Sequence, residues 1–368
     1  MKKIIAIFIF FVVVHFAFTA EFGGILGSNT SFAKAEQEDF TWTERADLAL
    51  NAKIPFTASG NIYLAMEGVY RGIFSAEDIV HAVNLPLLKF NYSSYMANGF
   101  VDISVGRFFV SDITGKVLSQ TSDGISAGYN TDSLVFSMYA GYTGLVNSKF
   151  VQMNAMESYD VKETPVYNLS LPYVLLGGTF TMPYLFMNQN ISLDVWGAVG
   201  LQGLKRNNIY TSGAISGPIY KNLYYTLMGG ASFVTENGGD FDIGGLAILK
   251  FDYFFNLLNM VVSIQGNMAS ENFQPITSTS CVGEYMMNNI LSAGAFFSMH
   301  PLKNMLLSLR GDGIFQMGDM QYQGIQVAGE FKWQLFSDVL LGITASYFIP
   351  DMEKDSNMAI SANVVVSF

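Results

Sequence analysis

The sequence predicts an all-β chain folded as a transmembrane antiparallel β-barrel of about 18 strands, with 16 as the fallback. Three observations carry this. The chain ends on a period-2 strand that runs to its last residue, strict alternation recurs in long segments along its length, and an apolar leader stands at its front. Half of the 368 residues are hydrophobic and the mean hydropathy is +0.30. That is too apolar for an ordinary soluble protein. Yet behind the leader no run of about twenty apolar residues is left to form a spanning helix. The apolar residues therefore belong on the outward faces of barrel strands. Thirty-five glycines, nineteen tyrosines and thirty-one phenylalanines suit close-packed strands with aromatic girdles.

The elements follow in chain order. Met1-Lys2-Lys3 is a positive start, Ile4 to Phe18 is apolar except for His15, and Thr19-Ala20 closes the run. This reads as a secretory signal peptide over residues 1–20, with the barrel over 21–368. A second cleavage site follows Ala33-Lys34-Ala35. Glu21 to Ser28 alternates Phe22, Gly24 and Leu26 against Gly23, Ile25 and Gly27. Ala46, Leu48, Leu50, Ala52 and Ile54 oppose Arg45, Asp47, Asn51 and Lys53. Ile191, Leu193, Val195, Gly197 and Val199 oppose Ser192, Asp194, Trp196 and Ala198. Phe241 to Phe251 opposes Asp242, Gly244, Lys250 and Asp252. Ile325 to Leu335 opposes Gln326, Ala328, Glu330, Lys332 and Gln334, and Val339 to Ile349 opposes Leu340, Gly342, Thr344, Ser346 and Phe348. Charged faces on this many long strands, with no helical pattern between them, do not suit a two-layer sandwich.

Connections alternate between tight and loose. Tight turns fall at 55–60, 93–98, 130–133, 182–189, 221–222, 253–258, 300–304 and 336–338. Longer or more polar connections fall at 71–82, 111–122, 147–168, 205–211, 235–240, 270–287, 316–323 and 350–357. The asymmetry is that of short periplasmic turns and longer extracellular loops, in a barrel with both termini periplasmic. Counting back from the last strand, the strand at 40–54 runs downward, so an even barrel needs one more upward strand before it. Glu21 to Ser28 supplies that strand only if cleavage follows Ala20.

The last segment sets Val366 and Val364 two apart behind a terminal Phe368. It resembles the C-terminal assembly signal of bacterial outer-membrane barrels, which implies the barrel assembly machinery as a partner. A second resemblance is internal. Val101 to Arg107 ends in Gly106-Arg107, and Asp123-Gly124 opens the next strand. This pair is similar to a Gly-Arg strand, loop and Asp-Gly strand found in substrate-specific Gram-negative porins. The motif covers about 30 residues, and the barrel architecture covers nearly the whole mature chain. The resemblance implies an outer-membrane channel for small hydrophilic solutes or ions. Alternation from Val101, Ile103 and Val105 sets Arg107 outward, so a bulge or a rim position is needed to turn it inward.

The polar faces give the pore-lining candidates: Arg45, Asp47, Lys53, Glu67, Asp102, Asp194, Asp242, Lys250, Arg310, Asp312, Glu330 and Lys332, with Arg107 added by the motif. Both signs occur, as in a wet pore with a transverse field; pairs that neutralise each other inside a closed barrel are the alternative. The formal charge is −11, and −13 without Lys2 and Lys3. With acidic loops and a lumen set that is slightly acidic, a weak cation preference is expected, weakened by Asp102→Asn or Asp194→Asn. An acidic chain also argues against nucleic-acid binding.

No enzyme is expected. Of His15, His81 and His300, the first leaves with the leader and the others fall in a loop and a tight turn. No nucleophile–base–orienter set or paired-carboxylate site is spelled out. One cysteine, Cys281, and no histidine pair give neither a disulfide framework nor metal-ligand spacing. No cofactor is expected. Tyr129, Tyr142, Tyr225 and Tyr347 read as interface girdle rather than a sugar-stacking ladder. The functional expectation is a passive-diffusion porin surrounded by outer-membrane lipid, as a monomer or a trimer. A non-conducting surface adhesin or scaffold is the alternative, and a fatty-acid-type transporter of hydrophobic solutes a smaller one.

Overall fold

A computed structural model describes residues 20–35, 39–76, 78–151, 153, 166–201, 206–236, 238–277, 281–282, 285–286, 288–351 and 356–368. Its strands are β1 (Glu21–Ala35), β2 (Thr41–Pro55), β3 (Ile62–Ser75), β4 (Ile79–Met96), β5 (Gly99–Ser111), β6 (Ser119–Asn130), β7 (Val135–Tyr142), β8 (Tyr173–Phe186), β9 (Gln189–Gly200), β10 (Arg206–Tyr220), β11 (Leu223–Glu236), β12 (Phe241–Phe255), β13 (Met260–Ala269), β14 (Cys281–Val282), β15 (Tyr285–Met286), β16 (Ile290–Met299), β17 (Met305–Gln316), β18 (Tyr322–Gln334), β19 (Val339–Pro350) and β20 (Asn357–Ser367). Eighteen of them form one antiparallel sheet in which each pairs with its neighbour in sequence, and β1 pairs with both β2 and β20. The sheet is a closed barrel; β14 and β15 are a separate small hairpin.

Closure gives every one of the eighteen strands a partner on both sides, which is the condition for strands to span a bilayer. The seam is made by the two ends of the chain. Phe368 N donates to Gly24 O at 3.0 Å and Gly24 N donates to Phe368 O at 2.8 Å. A Cβ on Gly24 would lie 2.5 Å from the Phe368 ring, so the terminal aromatic needs a glycine beneath it.

Period-2 alternation sorts the side chains onto two faces. On β9, Leu193, Val195 and Val199 are exposed on the outside, whereas Asp194, Trp196 and Ala198 are buried inside. On β1 the outward Phe22 and Phe32 stand ten residues apart. At about 3.3 Å per residue and a tilt of about 40°, that is about 25 Å along the barrel axis, the height of a lipid-facing band. Tyr129, Tyr142, Tyr225 and Tyr347 all lie within a few residues of a strand end, on the outward phase.

All eight expected tight turns lie at the end that holds Phe368, and the long connections lie at the other. Three boundaries differ from the sequence expectation. The 71–82 connection shrinks to the three residues between β3 and β4, because Arg71 to Ser75 and Ile79 to Ala82 continue the sheet. The 205–211 connection ends before Arg206, because Arg206 to Thr211 pair with β11. The first strand runs past Ser28 to Ala35. In each case some polar residues, Arg71, Arg206 and Asn208, and Asn29 and Ser31, sit on the inward phase, where a barrel strand tolerates them and a loop reading does not distinguish them.

One break in the wall positions the interior. Pairing between β4 and β5 runs from Met96↔Gly99 up to Leu88↔Arg107 and stops there, although β4 continues to Ile79 and β5 to Ser111. Beside the freed part of β4 stand two limbs of the β7–β8 connection. Val83 N donates to Val166 O at 3.2 Å, and Asn147 Nδ2 donates to Val83 O at 2.6 Å. Ser148 N to Asn168 O (2.7 Å) and Ser170 N to Val146 O (2.8 Å) tie the limbs together.

Candidate functional site

The upper ends of β5 and β6 leave the wall and carry their connection, residues 112–118, into the barrel. Asp112 holds this tip as a compact turn. Its Oδ1 accepts from Val117 N (3.1 Å) and Leu118 N (2.8 Å), and its Oδ2 from Thr114 N (2.8 Å) and the Thr114 hydroxyl. Gly115, at φ +62°, supplies the left-handed position that the turn needs. The tip is fastened to the wall four strands away, where Ile113 N donates to Asp194 Oδ2 at 2.8 Å.

A second segment enters from the β13–β16 connection. Ile276 N and Thr277 N donate to Val117 O at 2.9 and 3.1 Å, and Ser119 N donates to Thr277 Oγ1 at 3.1 Å. β10 anchors this segment. The Tyr210 hydroxyl bonds Gln274 O, and Arg206 Nη2 bonds Gln274 Oε1. Val117, Leu118, Phe273 and Ile276 are buried against Phe108, Tyr139, Leu175, Trp196, Ile248 and Ile314. This apolar cluster draws on β5, β7 to β10, β12, β13, β16, β17 and β19, with Leu87 of β4 and Met228 of β11 packed against it, and takes nothing from β20, β1, β2 or β3. The inward residues of those four strands, among them Asn29, Ser31, Arg45, Asp47, Asn51, Arg71, Ser361 and Asn363, are not buried. Below the two inward segments a cavity of about 750 Å³ is lined by Asn190, Ser216, Tyr224, Thr226 and Asp252 among others.

The expected lumen charges fall into short pairs. Arg45 Nε lies 2.8 Å from Asp47 Oδ2, Lys250 Nζ 2.9 Å from Asp252 Oδ1, Arg310 Nε 2.5 Å from Asp312 Oδ2, and Lys332 Nζ 2.7 Å from Glu330 Oε1. Each pair is two residues apart on one strand, so the same period that sends both side chains inward also sets them side by side. Asp47 is held a second time, by Arg71 Nε at 2.7 Å, and the Arg71 guanidinium lies 4.4 Å from the Phe150 ring centre. Lys53 and Lys89 stand 5.1 and 5.9 Å from the Tyr63 ring centre. Glu67 is paired in register with Asn51. Asp102 Oδ2 accepts from Asn91 Nδ2 (2.8 Å) and Ser93 Oγ (2.9 Å). Asp242 is exposed at the second position of β12.

Three residues stand apart from the wet face expected for them. Asp312 is 4% exposed beneath Arg310. Asp194 is only 2% exposed, covered by the 112–118 tip that it fastens, and Trp196 Nε1 also donates to it at 3.2 Å. Arg107 is 8% exposed. No bulge turns it inward, since β5 and β6 pair one to one from Phe100↔Asn130 to Ser111↔Ser119. It keeps the phase of Val105 and Phe109, opposite the buried Phe108, and meets Asp123 side by side. The Gly-Arg and Asp-Gly halves of the motif are thus register partners, Gly106↔Gly124 and Arg107↔Asp123.

Arg71, Phe150 and the apolar inward tips did not emerge from the sequence, whereas alternation already sets Trp196 on the face of Asp194. The sequence expectation sets Arg71 at the start of the 71–82 connection, although Tyr63, Glu67 and Arg71 share one parity, the signal that marks it as a strand residue. Nothing local marks Val117, Leu118, Phe273 or Ile276, because their burial depends on two connections distant in sequence meeting inside the barrel.

No protein-family model matches the chain, and no curated protein matches it. Solved structures do. The Pseudomonas aeruginosa protein OpdQ superposes with a TM-score of 0.64 at 10% identity, covering 95% of this chain and 98% of that one. OpdK of the same organism, solved with vanillate, gives 0.60 at 8% identity, covering 95% and 99%. OccAB4 of Acinetobacter baumannii gives 0.60 at 10%, covering 95% and 98%. The chain has the outer-membrane porin fold. In that fold the two inward connections occupy the lumen, and the polar faces of β20 and β1 to β3 line what they leave uncovered.

Proposed function

We propose that the chain is an outer-membrane porin, a passive channel for small hydrophilic solutes or ions. The observation that carries this is the uneven filling of the lumen. The inward connections pack against β5, β7 to β10, β12, β13, β16, β17 and β19, while the inward faces of β20 and β1 to β3 keep polar and charged side chains that are not buried. Solute would pass along that side, by Arg45, Asp47 and Arg71, and then by the Lys53, Lys89 and Tyr63 group. Export would use residues 1–20 as a leader cleaved after Ala20, leaving β1 whole for closure of the barrel by the assembly machinery. Planar-bilayer recording of the purified protein tests the reading: stable ohmic steps support it.

A second reading draws on the two inward connections themselves. Their mutual hydrogen bonds at Val117 O make them one body across the lumen, which suits a non-conducting adhesin or scaffold. Silence at all voltages favours that reading.

A further inference from the structure

The porin reading leaves open what fixes the inward lean of the β5–β6 tip. We propose that Arg107 and Asp123 form a latch at the base of this hairpin that sets the width of the passage; as a statement about conductance, this rests on the channel reading above. Three observations at one level of the barrel converge on it.

The first is a hinge. Gly106 and Gly124 face each other in register where β5 leaves β4. Gly106 adopts φ +122°, and a Cβ there would lie 2.1 Å from Leu88 O. A Cβ on Gly124 would lie 2.4 Å from Ala140 O and 2.6 Å from the Tyr139 hydroxyl. Only glycine fits at this pair, and glycine backbone is free to bend.

The second is the bond set one residue above the hinge. Arg107 Nε and Nη2 donate to Asp123 Oδ1 and Oδ2, each at 2.8 Å. Nη2 also donates to Leu145 O at 2.9 Å, and Nη1 to Tyr167 OH at 3.1 Å and to Leu85 O at 3.5 Å. The five N–H donors of a guanidinium match these five contacts. One side chain thus ties β5 to β6, to the freed part of β4 and to both limbs of the β7–β8 connection.

The third is leverage. Beyond the latch the tip is held by Ile113 N to Asp194, by Val117 O and Ser119 N to the Ile276–Thr277 segment, and by burial of Val117 and Leu118 in the apolar cluster, so the latch acts at its base. The fork geometry of Arg107 sets the angle at which the hairpin leaves the wall. Lysine keeps the charge but cannot reproduce a planar fork with five donors, so Arg107→Lys is not a conservative change here.

The test compares wild-type protein with Arg107→Lys, both scored as folded by the different migration of boiled and unboiled bands. In the variant, hydrogen exchange at the Val117 and Leu118 amides should quicken by about tenfold, as expected for loss of charge-assisted bonds holding the tip. Its bilayer current should flicker among more than one level. Wild-type exchange and wild-type steps in a folded variant overturn the latch. If wild-type protein does not conduct, the channel reading fails while exchange still decides the latch. If Arg107→Lys does not fold, Tyr167→Phe, which removes one hydroxyl from the set, should quicken the same two amides; unchanged exchange there overturns the proposal.

Discussion

Gly24 and Phe368 exchange two backbone hydrogen bonds across the barrel seam, and the Phe368 ring lies where a side chain on residue 24 would stand. Gly24→Val forces that ring out and should cost about 1–3 kcal/mol by overpacking. Replacing Phe368 by a charged residue should impair assembly far more than the same change at Ser367, whose inward phase it does not share. The heat-modifiable fraction on gels measures both; equal loss at 367 and 368 contradicts the seam.

The mature chain should begin at Glu21. β1 pairs with β2 from Glu21 to Ala33 and with β20 from Ile25 to Ala35. Cleavage after Ala35 removes all of β1 and leaves an odd, open sheet with two free edges. Intact mass or N-terminal sequencing of protein from the outer membrane decides it, and a start at residue 36 contradicts the closed barrel.

Asp194→Asn should leave ion selectivity nearly unchanged and loosen the 112–118 tip instead. Asp194 is buried beneath the tip and accepts the Ile113 amide. A neutral acceptor holds that amide less strongly than a carboxylate, by about 1 kcal/mol. Faster exchange at the Ile113 amide with an unchanged reversal potential is expected. This departs from the expectation drawn from alternation alone, in which Asp194 was a wet mid-strand acid.

Asp47→Asn should shift selectivity toward anions. Asp47 bridges Arg45 and Arg71 on the unfilled side of the lumen and offsets one of their two charges, and without it two uncompensated guanidiniums face the passage. In the unmodified protein the net charge of −13 behind the leader and the acidic loops give a weak cation preference that grows as salt is lowered, because the screening length rises from about 10 Å at 0.1 M to about 30 Å at 0.01 M. Reversal potentials in KCl gradients read both effects. A strongly anion-selective wild type contradicts the placement of the acids.

The barrel was legible in the sequence because every strand repeats one rule, alternation with a change of direction at each connection. That rule yielded 18 strands, the sense of β1 and the side of each turn from Phe368 backward. It located Arg45 beside Asp47 and Lys250 beside Asp252 on one face, since a period of two does so by construction. It did not reveal what covers Asp194 or what surrounds Arg107. Their neighbours come from connections 38 to 81 residues away in sequence: Leu145 and Tyr167 for Arg107, Ile113 for Asp194. Contacts of that kind carry no local period. The Gly106-Arg107 and Asp123-Gly124 motif was visible, but its meaning as a hinge and a clamp required the β4–β5 separation to be seen.

Planar-bilayer recording of the purified, folded wild-type protein tests the channel reading most directly. Stable ohmic steps are expected, small for a barrel of 18 strands because the 112–118 and 270–277 segments enter the lumen, with weak cation preference. A folded, heat-modifiable barrel that passes no current at any voltage would contradict it and would make the two joined segments a plug.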